Sequence, residues 1–270
     1  MNRKKIISFK NVGFYYEDKI VFKSISFDIF ENEYIVIIGN NGSGKSTLGS
    51  LIGLLLKNNS GEIYICDKLV NNDTYKDLYN KTSIVFQNPN NQFIADTVEM
   101  DIAFSLENKN IEQSKMQPII NNIAKFMNIT HLLKKKSFSL SGGEKQKLAI
   151  SSILAYDPDI IIFDEAFSML DHWNKENIRD YIFKIKKELN KTIINISHDI
   201  EDINQADRVF LINENNELII LKQDEIASNI NILKSNKIEL PFLHDLKSKL
   251  NINNSNDSTF DSIIGELCKK

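Results

Sequence analysis

Gly39-Asn40-Asn41-Gly42-Ser43-Gly44-Lys45-Ser46-Thr47 is a G-x-x-x-x-G-K-[ST] loop. A continuously apolar stretch, residues 34–38, runs into it, and helical spacing follows over residues 46–56. A buried strand, a glycine-rich turn and a helix start are the context such a loop needs to hold phosphate. Its glycines let the backbone curl and turn N–H groups inward around a phosphate chain. Lys45 adds a charge that reaches the outer phosphates, and the Ser46 hydroxyl suits Mg2+. A glycine-rich turn without a ligand is the competing reading, and the full pattern with these flanks argues against it.

Outward from that loop, the chain alternates strands and helices. Residues 6–38 alternate apolar and polar, as antiparallel strands with one covered face do. Ser60-Gly61-Glu62 marks a turn before a short strand over 63–66. Residues 97–126 turn helical, and a loop with Lys134-Lys135-Lys136 leads to a further helix over 144–154. Residues 160–163 read as a second fully buried strand, 173–189 as an amphipathic helix and Thr192–Ile196 as another strand. Such alternation predicts an α/β fold on a parallel sheet, with residues 97–155 as a helical subdomain. Beyond residue 212 the signal weakens. A strand over 218–221, short helices over 224–233 and 241–250, and an Asn-rich loop over 251–258 make up a small accessory region or a frayed tail.

Composition narrows the class. The chain has 270 residues, 42% of them hydrophobic, enough for one large core with an appendage. A net charge of -3 offers no electrostatic reason to expect nucleic acid. Basic charge is almost all lysine, the arginines being Arg3, Arg179 and Arg208. Cys66 and Cys268 have neither metal-ligand nor disulfide-framework spacing, which points to a reducing compartment. No apolar run approaches the ~18 residues of a membrane span, and the charged N-terminus lacks the apolar core of a signal peptide. The reading is a cytosolic chain that reaches a membrane only through a partner.

Chemistry gathers at predicted strand ends. Asp164 and Glu165 close the strand 160–163, where open parallel sheets collect their ligands. Asp164 is placed to hold a Mg2+ shell, and Glu165 to act as general base for a water attacking a γ-phosphate. A solvated turn is the bland alternative. Gln87, after Ile84-Val85-Phe86, can touch the metal or the water from a loop, and His198, after Thr192–Ile196, can bond the γ-phosphate. His131, His172 and His244 have no comparable placement. Tyr16, ending Phe14-Tyr15-Tyr16, is placed to stack on adenine, strand packing being the alternative. Leu140-Ser141-Gly142-Gly143-Glu144 is a second anion-binding turn at a helix start. It is too far along the chain to need the same phosphate, so it invites a nucleotide held by another subunit.

In this order, Tyr16, residues 39–47, Gln87, residues 140–144, Asp164-Glu165, Asp171 and His198 resemble the aromatic loop, Walker A, Q-loop, signature, Walker B, D-loop and switch histidine of the ATP-binding-cassette ATPases. The resemblance covers residues 6–212 and implies a P-loop NTPase with a parallel core sheet, an antiparallel β subdomain and an inserted helical subdomain. It implies ATP and Mg2+ as ligands and hydrolysis of ATP. Residues 86–93 (FQNPNNQF) and 165–171 (EAFSMLD) resemble the ATP-binding subunits, first type, of energy-coupling factor transporters. That implies a heterodimer with a second ATPase, a membrane T subunit and exchangeable S subunits for vitamins or other micronutrients, at the cytoplasmic face of the membrane. Glu144, Lys147, Phe167, His172 and Ser137 depart from the usual Gln, Arg, Thr, Pro and Pro.

The implied mechanism is a two-subunit sandwich closed by ATP and reopened by hydrolysis, with residues 93–106 forming a groove for the membrane subunit. Rival readings are an ATPase of another importer, such as a cobalt or nickel system, a soluble non-transport cassette, and a cassette that binds without turnover.

Overall fold

The computed structural model describes residues 4–226 and 229–236. Strands are β1 (Lys5–Tyr16), β2 (Lys19–Phe30), β3 (Tyr34–Gly39), β4 (Ser60–Ile65), β5 (Lys68–Leu69), β6 (Thr82–Phe86), β7 (Ile160–Asp164), β8 (Thr192–Ile196), β9 (Arg208–Ile212) and β10 (Leu218–Lys222). Helices are α1 (Lys45–Ile52), α2 (Tyr75–Tyr79), α3 (Val98–Asn108), α4 (Gln113–Phe126), α5 (Gly142–Tyr156), α6 (His172–Leu189), α7 (Ile200–Asn204), α8 (Gln223–Ile226) and α9 (Ile230–Ser235).

Two sheets result. A four-stranded sheet has order β2-β1-β4-β5, and its pairings are antiparallel. The core sheet has order β10-β9-β3-β8-β7-β6 and is parallel except at β9–β10. The predicted parallel core, antiparallel subdomain and helical insert are all present.

Period-two alternation explains why the central strands read as unbroken apolar runs. In β3, Tyr34, Val36 and Ile38 enter the core beneath α3–α6, while Ile35 and Ile37 enter the core shared with the antiparallel sheet and α1. In β7, Ile161 and Phe163 face the first core, and Ile160 and Ile162 the second. A strand covered on both faces has no polar side to show. Each such isoleucine contributes about 1.5–3 kcal/mol on burial.

The helix after the phosphate loop is shorter than its apolar spacing predicts, ending at Ile52 rather than at 56. Gly53 caps it, and a Cβ there would lie 2.4 Å from Ile84 Cδ1, so the chain turns away against β6. The helical stretch 97–126 is two helices broken at 109–112, where Asn110 takes φ 56.

The expected division at residue 212 falls at the end of β9. β10 then returns antiparallel onto β9, and Leu221, Ile226 and Leu233 are buried in the main core. The predicted helix over 224–233 is α8 and α9, whereas the expected elements at 241–250 and 251–258 lie outside the described residues. Among the described residues no helix is long and apolar enough to cross a membrane.

One ion pair ties the sheets together. Arg208 of β9 donates Nε to Glu33 Oε1 at 2.6 Å and a terminal nitrogen to Glu33 Oε2 and the Asp28 carbonyl, both at 2.7 Å. Glu33, 4% exposed, sits just before β3. Removing one member of a buried pair strands the other's charge. Arg208→Met is therefore expected to lower the unfolding free energy by about 3–5 kcal/mol, read from denaturant melts of the full chain.

Candidate nucleotide site

The loop from β3 to α1 is shaped by its glycines. Gly39, Gly42 and Gly44 take φ of 152, 79 and 102. A Cβ on Gly44 would meet Val21 Cγ1 at 2.7 Å, and one on Gly39 would meet the Ile212 carbonyl oxygen at 2.5 Å. The Gly44 cap makes no side-chain bond to α1, so the first-turn N–H groups of that helix are available to an anion. Lys45, 5% exposed, donates Nζ to the carbonyls of Gly39 at 3.0 Å and Asn40 at 3.1 Å. Burial lowers the Lys45 ammonium from its ordinary value, while Glu165 and Asp164 hold it up. The Ser43 hydroxyl is buried with no hydrogen-bond partner among the described residues.

The carboxylates arrive from β7. Ser46 Oγ donates to Asp164 Oδ1 at 2.9 Å. Burial raises the Asp164 carboxyl above its usual range; the Ser46 hydroxyl opposes that, Glu165 adds to it and Lys45 opposes it. Glu165 takes φ 48, a left-handed conformation that costs a non-glycine residue about 1–3 kcal/mol. Its backbone N–H donates to the Ile196 carbonyl at 3.0 Å, locking the turn onto the end of β8. From the same edge, His198 Nε2 lies 2.8 Å from Glu165 Oε1.

A cleft of about 290 Å3 is lined by Tyr16, Asn41, Gly42, Gly44, Lys45, Ser46, Thr47 and Glu165, with Asp164 and His198 outside the lining and joined to it through Ser46 and Glu165. Lys19, Val21 and Asn216 also line it, and sequence reasoning missed all three. Asn216 sits in the β9–β10 turn, which the loop residue Asn40 also touches by donating to Glu214 at 3.3 Å. An Asn-rich turn carries no chemical signal of its own, and only the return of β10 brings it here. Gln87 is set apart from the cleft lining. It donates to Ser168 Oγ at 3.0 Å, which in turn donates to the Glu165 carbonyl at 2.9 Å.

Residues 140–144 lie away from this cleft. Ser141 caps α5 in a reciprocal box: its N–H donates to Glu144 Oε2 at 2.8 Å, and the Glu144 N–H to Ser141 Oγ at 3.4 Å. The departure Glu144 is thus spent on its own helix start. Asp171 caps α6 and holds the Asn174 side chain at 2.7 Å, and Asn174 stands where a Gly143 Cβ would come within 2.5 Å of its Oδ1.

The model of the ABC transporter family matches residues 22–168. The energy-coupling factor transporter ATP-binding protein EcfA1 of Mycoplasma pneumoniae is 40% identical, covering 100% of this chain and 98% of that one. The chain belongs to the energy-coupling factor ATP-binding proteins of the ABC transporter family. EcfA of Malacoplasma penetrans, another member, is also 40% identical over 100% of this chain and 95% of its own. Among solved structures, cbiO1 from Clostridium perfringens, described as part of the ABC transporter complex cbiONQ, has TM-score 0.79 at 29% identity, covering 91% of this chain and 99% of that one. A putative metal-chelate type ABC transporter in an inward-facing conformation, at TM-score 0.71 and 24% identity over 86% of this chain and 89% of its own, shares the fold. Like other energy-coupling factor ATP-binding proteins, the chain is an ATP hydrolase.

In this energy-coupling factor protein the Ser141 N–H holds the Glu144 carboxyl below its ordinary value of 4.5. A lowered folded value means stability present above 4.5 and lost as pH falls through the lowered value. Glu144→Gln keeps a box-competent side chain, whereas Glu144→Ala leaves the Ser141 N–H without its partner and should lower the unfolding free energy. The wild-type advantage over Glu144→Ala should shrink in acid, and that of Glu144→Gln should not. Urea melts across pH measure both.

Proposed function

We propose that ATP binds the cleft over residues 39–47, with Tyr16 against the adenine and the phosphates in the loop. The observation that carries this reading is the meeting of Lys45, Ser46, Asp164, Glu165 and His198, from the start of α1 and the ends of β7 and β8, at one rim of the core sheet. The Ser46 hydroxyl and Asp164 carboxylate, 2.9 Å apart, are oxygen donors of the kind Mg2+ prefers and would hold it; Gln87, bonded to Ser168 here, is the third candidate ligand. Mg2+ bound there supplies neutralisation of phosphate charge. Lys45 draws the outer phosphates, Glu165 takes the proton of the attacking water, and His198 holds the γ-phosphate and the Glu165 carboxylate in line. The bond from the γ-phosphorus to the bridging oxygen breaks, leaving ADP and phosphate.

The turn at Leu140, Ser141, Gly142, Gly143 and Glu144 faces a second nucleotide. Its distance from the chain's own cleft supports a partner ATPase, with Asp171 at the junction. We assign that partner to the second energy-coupling factor ATPase type, in a heterodimer seated on a membrane T subunit with exchangeable S subunits. We assign residues 1–212 to the ATPase domain, with 97–155 as its helical subdomain, and 213–270 to an accessory region, whose strand β10 joins the core sheet. Exposed Ile94 (68%), just before the helical insert, and Met100 (57%), on its first helix, offer the membrane subunit an apolar contact. The chain then works as a peripheral protein at the cytoplasmic face, powering uptake of vitamins or other micronutrients.

Glu165→Gln is expected to lower turnover roughly 10²–10⁴-fold while ATP binding survives, and Lys45→Ala to weaken binding itself. Unchanged turnover in the glutamine variant would remove Glu165 from its role. Affinity purification from gently solubilised membranes should recover a related ATPase, a T-type membrane protein and small S-type chains. Recovery of self-copies with a conventional permease would assign another importer class.

A further inference from the structure

One buried cation joins α6 to the segment that carries His198. Arg179, 4% exposed, donates Nε to Asp202 Oδ1 at 2.6 Å, and its terminal nitrogens meet Asp199 Oδ2 at 2.7 Å and Glu201 Oε2 at 2.8 Å. It also donates to Glu176 of its own helix. Ser197 Oγ donates to Asp202 Oδ2 and accepts from the Asp199 N–H at 2.9 Å. Both neighbours of His198 are therefore fastened to a single guanidinium, Ser197 through Asp202 and Asp199 directly. His198 itself meets Glu165 at 2.8 Å. Arg179 does not line the cleft.

Burial works against the guanidinium's charge, and Asp202, Asp199 and Glu176 outweigh it. Such buried ion clusters contribute little net stability. Their rigid fork does fix geometry, which a lysine ammonium cannot reproduce. His172, Glu176 and Glu201 bring possible ligand atoms within 4.8 Å of one another. Both carboxylates are already held by Arg179, and His172 opens α6, where the helix dipole repels a cation. We therefore read that trio as the rim of the clamp and assign it no metal.

We propose that Arg179 is a positioning residue for ATP hydrolysis, setting His198 against Glu165 and tying it to the helix that begins at Asp171. A shift of α6 at its Asp171 end then reaches His198 instead of being absorbed by a loose segment. The inference rests on the role given to His198 above.

The test is steady-state ATP hydrolysis by the full chain, in the complex with which it co-purifies, for R179K, D199N, H198A and the doubles R179K/H198A and D199N/H198A. R179K keeps the charge and loses the fork. It should lower kcat about 10- to 100-fold with the ATP KM moved less than about threefold, and D199N should act in the same direction. Neither should add to H198A, because both act through the same ring. Multiplicative losses in the doubles, or an unchanged kcat in R179K, would overturn the inference while leaving His198 its role. An unchanged kcat in H198A would overturn the role of His198, and this inference with it. Should R179K fail to fold, the D199N pair makes the same comparison. Where H198A turnover is too low to compare, the His198 ring NMR signal decides: displaced in D199N for a positioning role, unmoved for a merely structural one.

Discussion

The parallel pairing of β3 with β8, and of β8 with β7, makes those strands end at one edge. Ile37 stands opposite Ile196, and Ile196 opposite Asp164. The residues that leave these strand ends, Gly39, Glu165 and His198, therefore emerge side by side from distant parts of the chain. The register is held by apolar packing on both faces. Sliding any strand by one residue would exchange its two sets of isoleucines between the two cores. The phosphate loop, the carboxylates and the histidine depend on that register, because none of them sits on an element that could reach the others alone.

Charge placement follows from the same edge. Lys45 and Asp164 are both partly withdrawn from water, and burial pushes their proton affinities toward neutrality from opposite directions. Each opposes the shift in the other. Glu165 accepts backbone strain to stand between them and His198, a local cost that the surrounding sheet imposes. The helical subdomain contributes differently. Its Ser141 turn rests, through Gly143, on Asn174 and Asp171 at the start of α6. The Ser141 turn and the first turn of α6 are thus in contact, and Arg179, further along the same helix, joins it to the residues on either side of His198.

Much of this was legible in the residues. The buried strands announced themselves as unbroken apolar runs, and the phosphate loop by its glycines and lysine. Asp164-Glu165 and His198 were legible because strand ends can be read from where apolar runs stop. Boundaries were less legible. The helix after the loop stops at Ile52 because Gly53 packs on Ile84, a contact between distant segments that local spacing does not record. Gln87 was expected at the metal or the attacking water, and here it contacts Ser168 beside the Glu165 turn.

The order of the motifs, their residue types and the strand–helix alternation determined the fold and the kind of chemistry, because glycine, lysine and paired carboxylates at strand ends have few other uses in that sequence. Only the tertiary structure decided which groups meet. Asn216 reaches the cleft by the return of β10, Glu144 turns inward to its own helix cap, and Arg179 grips both neighbours of His198. Those outcomes depend on long-range pairing and on competition among hydrogen-bond partners, and neither is written in the spacing of nearby residues.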